Sequence, residues 1–105
     1  MKRAIILVVL FALTALAQDK SNVTVKGVEK NTGVILLTVA ENGKTLTLQC
    51  NDGASFCTAV KQGQYQMVRL PKNRGLYDCQ NVDLFNPDAD VTSDERLGQY
   101  CLLTN

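Results

Sequence analysis

Alternation of apolar and polar positions is clearest over residues 34–50, VILLTVAENGKTLTLQC. Ile35, Leu37 and Val39 recur at every second position before Asn42-Gly43, and Leu46, Leu48 and Cys50 recur after it. A period of two is that of a half-buried strand, and Asn-Gly between two such runs is the strongest short-range signal for a two-residue hairpin turn. Both central residues of that turn need positive φ, which Asn and Gly tolerate best. The turn then sets the register, pairing Glu41 with Lys44, Val39 with Leu46, Leu37 with Leu48 and Ile35 with Cys50. One face carries Ile35, Leu37, Val39, Leu46, Leu48 and Cys50, so Cys50 points into the core. The other face, Leu36, Thr38, Ala40, Thr45, Thr47 and Gln49, is half polar. Glu41 and Lys44 set opposite charges beside the turn, a cross-strand pair worth about 0.2–1 kcal/mol.

The same reading extends outward from the hairpin. Residues 22–29 alternate through Val23, Val25 and then Val28, and Gly27 marks a bulge between the two phases. Residues 30–33 form the turn into the hairpin. Beyond a loop opening on Asn51-Asp52-Gly53, residues 57–61 suggest at most one helical turn. Residues 64–70 read as a strand with Tyr65, Met67 and Arg69 on one face and Val68 and Leu70 on the other. Residues 71–75 are a turn. Residues 76–85 read as a strand with Tyr77 and Cys79 in one phase and Val82 and Leu84 in the other, reconciled by a bulge near Gln80-Asn81. Pro87 ends it, since proline cannot donate to a ladder. Thr92 and Glu95 fit a capping box, predicting a short helical turn near 93–97 that stops at Gly98. Residues 99–103 supply a last strand. The fold expected is all-β: a small antiparallel meander of five to six strands curled into a partly open barrel. Strand count alone makes SH3-like and OB-like topologies analogies for it.

The N-terminal segment changes the picture of where the chain lives. Lys2 and Arg3 precede an apolar run over residues 4–16, and Ala15-Leu16-Ala17 offers small residues for cleavage. Residues 1–17 therefore read as a signal peptide cleaved before Gln18, with residues 18–105 as one small β domain. The run is shorter than the roughly 20 residues that span a bilayer as a helix. Taking 17 from 105 leaves 88 residues, in which nine basic side chains face ten acidic ones. That balance argues against nucleic acid and against an anionic membrane surface as partners. The expected location is secreted or periplasmic, and the expected state a monomer.

Four cysteines, Cys50, Cys57, Cys79 and Cys101, fall in the domain, and an even count in a small exported chain reads as disulfides. No CxxC pair is present, which disfavours a zinc site. Of the three possible connectivities, Cys50–Cys57 and Cys79–Cys101 fit the strand order best. Closing loops of about 8 and 23 residues would contribute roughly 2.5 and 3.4 kcal/mol in the chain-entropy description.

Candidate chemistry is sparse. The chain has no histidine, which removes the usual general base, the usual activator of a serine or cysteine nucleophile and the commonest metal ligand. Ser21, Ser55 and Ser93 stand in no nucleophile motif, and no phosphate-cradling glycine pattern occurs. The acidic tract Asp83, Asp88, Asp90, Asp94 and Glu95 could hold a cation. Asn86, Asp88 and Asp90 have the opening spacing of a calcium loop, but Val91 replaces its glycine and Leu97 its bidentate glutamate. No metal or cofactor is expected. Asn22-Val23-Thr24 is a glycosylation sequon. A binding patch for an acidic partner, glycan or phosphate is read in Tyr65, Arg69, Lys72, Arg74 and Tyr77, around the basic turn that Lys61 also approaches. The plainer reading of those residues is a solvated turn with ordinary surface charge. The functional expectation is a binding or interaction module for a protein or glycan, not an enzyme. A secreted enzyme inhibitor presenting loop 51–56 or 71–75 is the alternative, and a hydrolase using carboxylates alone a minor one.

Overall fold

A computed structural model describes residues 19–72 and 74–103; the expected signal peptide lies outside the described residues. Six strands form, β1 (Lys20–Asn31), β2 (Val34–Glu41), β3 (Lys44–Asn51), β4 (Gly63–Arg69), β5 (Gln80–Phe85) and β6 (Gly98–Leu103). They close into an antiparallel barrel in the order β1-β2-β3-β6-β5-β4, with β4 returning to β1. The all-β expectation holds, and closure is complete where a partly open barrel was expected. The sheet is also two three-stranded meanders, β1-β2-β3 and β4-β5-β6, sealed through β1·β4 and β3·β6.

Closure depends on the length of β1. Its first half pairs with β4, from Lys20↔Val68 to Val25↔Gly63, and its second half with β2, from Thr24↔Ala40 to Asn31↔Val34. The register shifts between Val25 and Gly27, the bulge expected at Gly27. A bulge bends and twists its strand, which lets one strand serve both seams and leaves neither meander with a free edge.

The hairpin has the expected register throughout: Glu41↔Lys44, Val39↔Leu46, Leu37↔Leu48 and Ile35↔Cys50. Asn42 and Gly43 take the required positive φ, 51° and 81°. Ile35, Leu37, Val39, Leu48 and Cys50 join Val23, Val25, Met67, Val82, Leu84 and Tyr100 in one buried cluster. Both disulfides pair as expected, Cys50–Cys57 with Cα atoms 5.5 Å apart and Cys79–Cys101 with 5.9 Å.

Two sequence expectations are corrected. The strand over 76–85 begins only at Gln80, and its ladder with β6 runs regularly from Gln80↔Leu102 to Leu84↔Gly98, without a bulge at Gln80-Asn81. The change of phase marks the start of the strand; Tyr77 and Cys79 belong to the loop before it. Near 93–97 there is a turn and no helix. Asp90 accepts from the Thr92 amide at 2.9 Å and the Thr92 hydroxyl at 2.6 Å, so Thr92 is already engaged with Asp90. Residues 57–61 likewise form no helical turn.

Tyr100 fills the barrel beside Gly98 and donates its hydroxyl to the Thr58 carbonyl at 2.6 Å. Burial pushes its phenol above the usual tyrosine range. A methyl group on Gly98 would lie 2.5 Å from the Tyr100 hydroxyl oxygen and 3.0 Å from the Phe56 carbonyl oxygen. Gly98→Ala is expected to destabilise by about 1–3 kcal/mol, as overpacked cores do. Urea denaturation gives the value, and an unchanged midpoint would show that the ring is free to move aside.

Candidate functional site

β5 is buried on both faces, and that organises the outer surface. Val82 and Leu84 face the barrel interior, while Asn81, Asp83 and Phe85 face outward and are buried all the same. Two loops cover them. The loop 86–97 is fastened by Gln66, whose side-chain amide donates to the Asn86 and Ala89 carbonyls at 3.1 and 3.0 Å. The loop 70–79 folds back over the strands, with Gly75 packed so closely on Asn81 that a Cβ there would lie 2.3 Å from that side chain.

Asn81 latches this second loop. Its carbonyl oxygen accepts from the Tyr77 amide at 3.0 Å, and its amide donates to the Tyr77 and Cys79 carbonyls at 2.7 and 3.1 Å. Gln99 makes the next tie: its side-chain oxygen accepts from the Leu76 amide at 2.7 Å, and its amide donates to Asp83 at 2.8 Å. The Tyr77 hydroxyl accepts from the Asn51 amide at 3.1 Å, and Cys79–Cys101 closes the far end. On the opposite side the Gln99 backbone N–H donates to the Phe56 carbonyl at 2.8 Å, which ties the Cys50–Cys57 loop to β6.

Between the two braced loops lies a cleft of about 350 Å³ lined by Phe56, Leu70, Pro71, Arg74, Gly75, Leu76, Asp83, Arg96 and Gln99. Phe56 and Leu76 are the large hydrophobic side chains left exposed among the described residues, at 48% and 55%, and both line this cleft. Phe56 sits at φ 61°, in the left-handed region that a residue with a side chain enters at some cost. The Arg96 guanidinium lies 4.4 Å from the centre of its ring and 3.5 Å from Asp83.

The structure does not bring the sequence-read patch together. Arg69 is not a surface cation. In phase with Tyr65 and Met67, it enters one end of the barrel and binds Glu41 through two bonds of 2.8 Å. Ser21 also donates to that carboxylate. Arg69, foremost, and the hydroxyl of Ser21 outweigh the effect of burial and hold the Glu41 carboxyl down at about 2. Lys44 stands opposite Glu41 in register, as expected, and its charge also favours the Glu41 carboxylate, while the bonded partner is Arg69. Tyr65 donates to the Lys61 carbonyl at 2.6 Å and borders a shallow depression with Asn22, Thr24 and Pro87. Lys72 and Tyr77 border another with Asp78, Cys79 and Gln80. Only Arg74 of the five reaches the cleft.

The acidic tract is dispersed as well. Asp83 is engaged by Gln99 and Arg96, Asp90 by Thr92, and Glu95 by Ser93. Among the described residues no three metal-ligating side chains converge. Leu76, Arg96 and Gln99 escaped the sequence reading and Phe56 entered it only as the end of the candidate inhibitor loop 51–56, although a signal existed for two of them. Phe56 is an isolated large apolar residue in a turn-rich segment, and Leu76 directly follows the basic turn 71–75. No family model, curated protein or solved structure matches the chain.

Proposed function

We propose that this is an exported binding module that holds a protein partner in the cleft between the loops at 51–58 and 70–76. The observation that carries the reading is the placement of Phe56 and Leu76. Two exposed apolar side chains line one cleft whose walls are fixed by two disulfides and a hydrogen-bonded layer. Preorganised walls lower the ordering cost of association, and apolar anchors in a central pocket carry most binding energy in protein interfaces. Two disulfides are consistent with an oxidising compartment, and with the apolar N-terminal segment they support a secreted or periplasmic location.

The test is affinity capture from the native extracellular or envelope fraction on immobilised protein, compared with two variants. Leu76→Ser is expected to lose the captured partner by at least about tenfold, the scale of an interface anchor. Phe56→Gly should do the same while leaving stability within about 1 kcal/mol. Glycine relieves the left-handed backbone strain and forfeits the ring contact with Arg96, effects of similar size. Capture that survives both substitutions sinks the reading.

A secreted inhibitor is a second form of the same idea, favoured by one observation: Phe56 stands on a loop closed by Cys50–Cys57 and is held outward at φ 61°. In that form the captured partner is an enzyme, and adding this protein lowers its turnover. Substrate turnover by the purified protein itself would count against both forms.

A further inference from the structure

Resting on the cleft being a binding site, we infer that its occupant is a protein segment presenting a carboxylate beside an apolar side chain. The charges lining the cleft are two arginines against one aspartate. Asp83 is buried and spent: it accepts from Gln99 at 2.8 Å and faces Arg96 at 3.5 Å. It can offset one cation and no more. Arg74 is exposed, and its guanidinium has no ion-pair partner among the described residues; only its backbone amide is engaged, with Pro71 at 3.2 Å. The cleft is thus left with one unmatched positive charge beside an apolar wall of Phe56, Leu70, Pro71 and Leu76.

Each simpler occupant leaves something unmet. A wholly apolar segment would cover Arg74 and strip water from an unpaired cation, which is strongly unfavourable. A phosphate-rich polymer would use the cation and leave the apolar wall wet, and residues 18–105, with nine basic against ten acidic side chains, offer such a polymer no excess of positive charge. A carboxylate suits a guanidinium better than any other common anion on a protein surface, because its two oxygens match the planar fork. An aliphatic or aromatic neighbour of that carboxylate would cover Phe56 and Leu76 at the same time.

The test is selection from a display library of random linear peptides on the disulfide-intact protein. Selected peptides are expected to be enriched in Asp or Glu next to an aliphatic or aromatic residue. Their affinity should fall about ten- to a hundredfold in Arg74→Glu, the scale of a charge-assisted hydrogen bond, and recover when the peptide carboxylate is replaced by lysine. Arg74 is exposed, so a folding defect is not expected, and an unchanged melting temperature checks this. Peptides that lose affinity in Leu76→Ser but show no acidic enrichment and ignore Arg74→Glu would overturn the carboxylate while leaving the cleft as the site. Peptides indifferent to Leu76→Ser as well would overturn both. Binding to a glycan array or to phosphatidylserine vesicles, without any peptide, also overturns the inference.

Discussion

Arg69→Met is expected to destabilise the protein by about 3–5 kcal/mol at neutral pH, the largest loss of any single substitution considered. The side chain fills similar space, so the loss comes from Glu41. Its carboxylate is almost fully buried and takes both of its strong partners from Arg69, leaving Ser21 as the remaining donor. Removing one member of a buried pair abandons an uncompensated charge, which is costlier than removing the pair. Replacing Glu41 by leucine together with Arg69→Met should therefore recover most of the loss. A double variant as unstable as Arg69→Met alone would show that packing, and not charge, sets the effect.

The same pair fixes how stability depends on pH. Glu41 ionises at about 2 in the folded chain, below its ordinary 4.5. A depressed carboxyl contributes stability that is fully present above the unfolded value and is lost as pH falls towards the folded one. The shift corresponds to at most roughly 3 kcal/mol, disappearing between about pH 4.5 and pH 2. In Arg69→Met the loss on acidification should shrink, because burial, which favours the neutral acid, is then opposed only by the Ser21 hydroxyl and the charge of Lys44. Urea midpoints of both proteins at neutral and acid pH test the difference, and parallel pH profiles would refute it.

The hairpin was legible because two independent signals agreed. Asn42-Gly43 fixes the loop length, and the alternation on both sides allows one register that buries a single apolar face. Cys50 is in phase with that face, and its pairing with Cys57 was legible because that bridge closes the loop leaving the hairpin. Arg69 was misplaced although its phase was correct. It alternates with Tyr65 and Met67, as Glu41 does with Ile35, Leu37 and Val39, but charge suggested the surface. Phase at both positions pointed inward, and two inward charges of opposite sign could have suggested each other. Barrel closure is different in kind. Nothing local to β1 says that its first half pairs with β4 and its second with β2, because those partners are set by the assembled sheet. The outer polar layer was hidden for a related reason: Asn81, Asp83 and Gln99 look like solvent-facing strand residues until the loops fold back over them.

Asn81→Ala is the substitution that should separate the cleft from the barrel beneath it. Three hydrogen bonds to the loop 70–79 vanish, two of them from a buried amide, and the Tyr77 amide and carbonyl lose their partner. At about 1 kcal/mol each, with some penalty for groups left unsatisfied, the expected loss is about 2–4 kcal/mol. The barrel itself should survive, since the inward neighbours Val82 and Leu84 and the ladder to β6 are untouched. Cys79–Cys101 also keeps the loop tethered at one end. What is lost is the position of Leu76, because its amide bond to Gln99 depends on a loop that Asn81 no longer holds. Hydrogen exchange should therefore show the amides of Leu76 and Tyr77 losing protection while those of β2 and β3 keep theirs. Partner capture should fall with them. If those two amides stayed protected and capture persisted, the latch would be ornamental, and the disulfide alone would be holding the cleft wall.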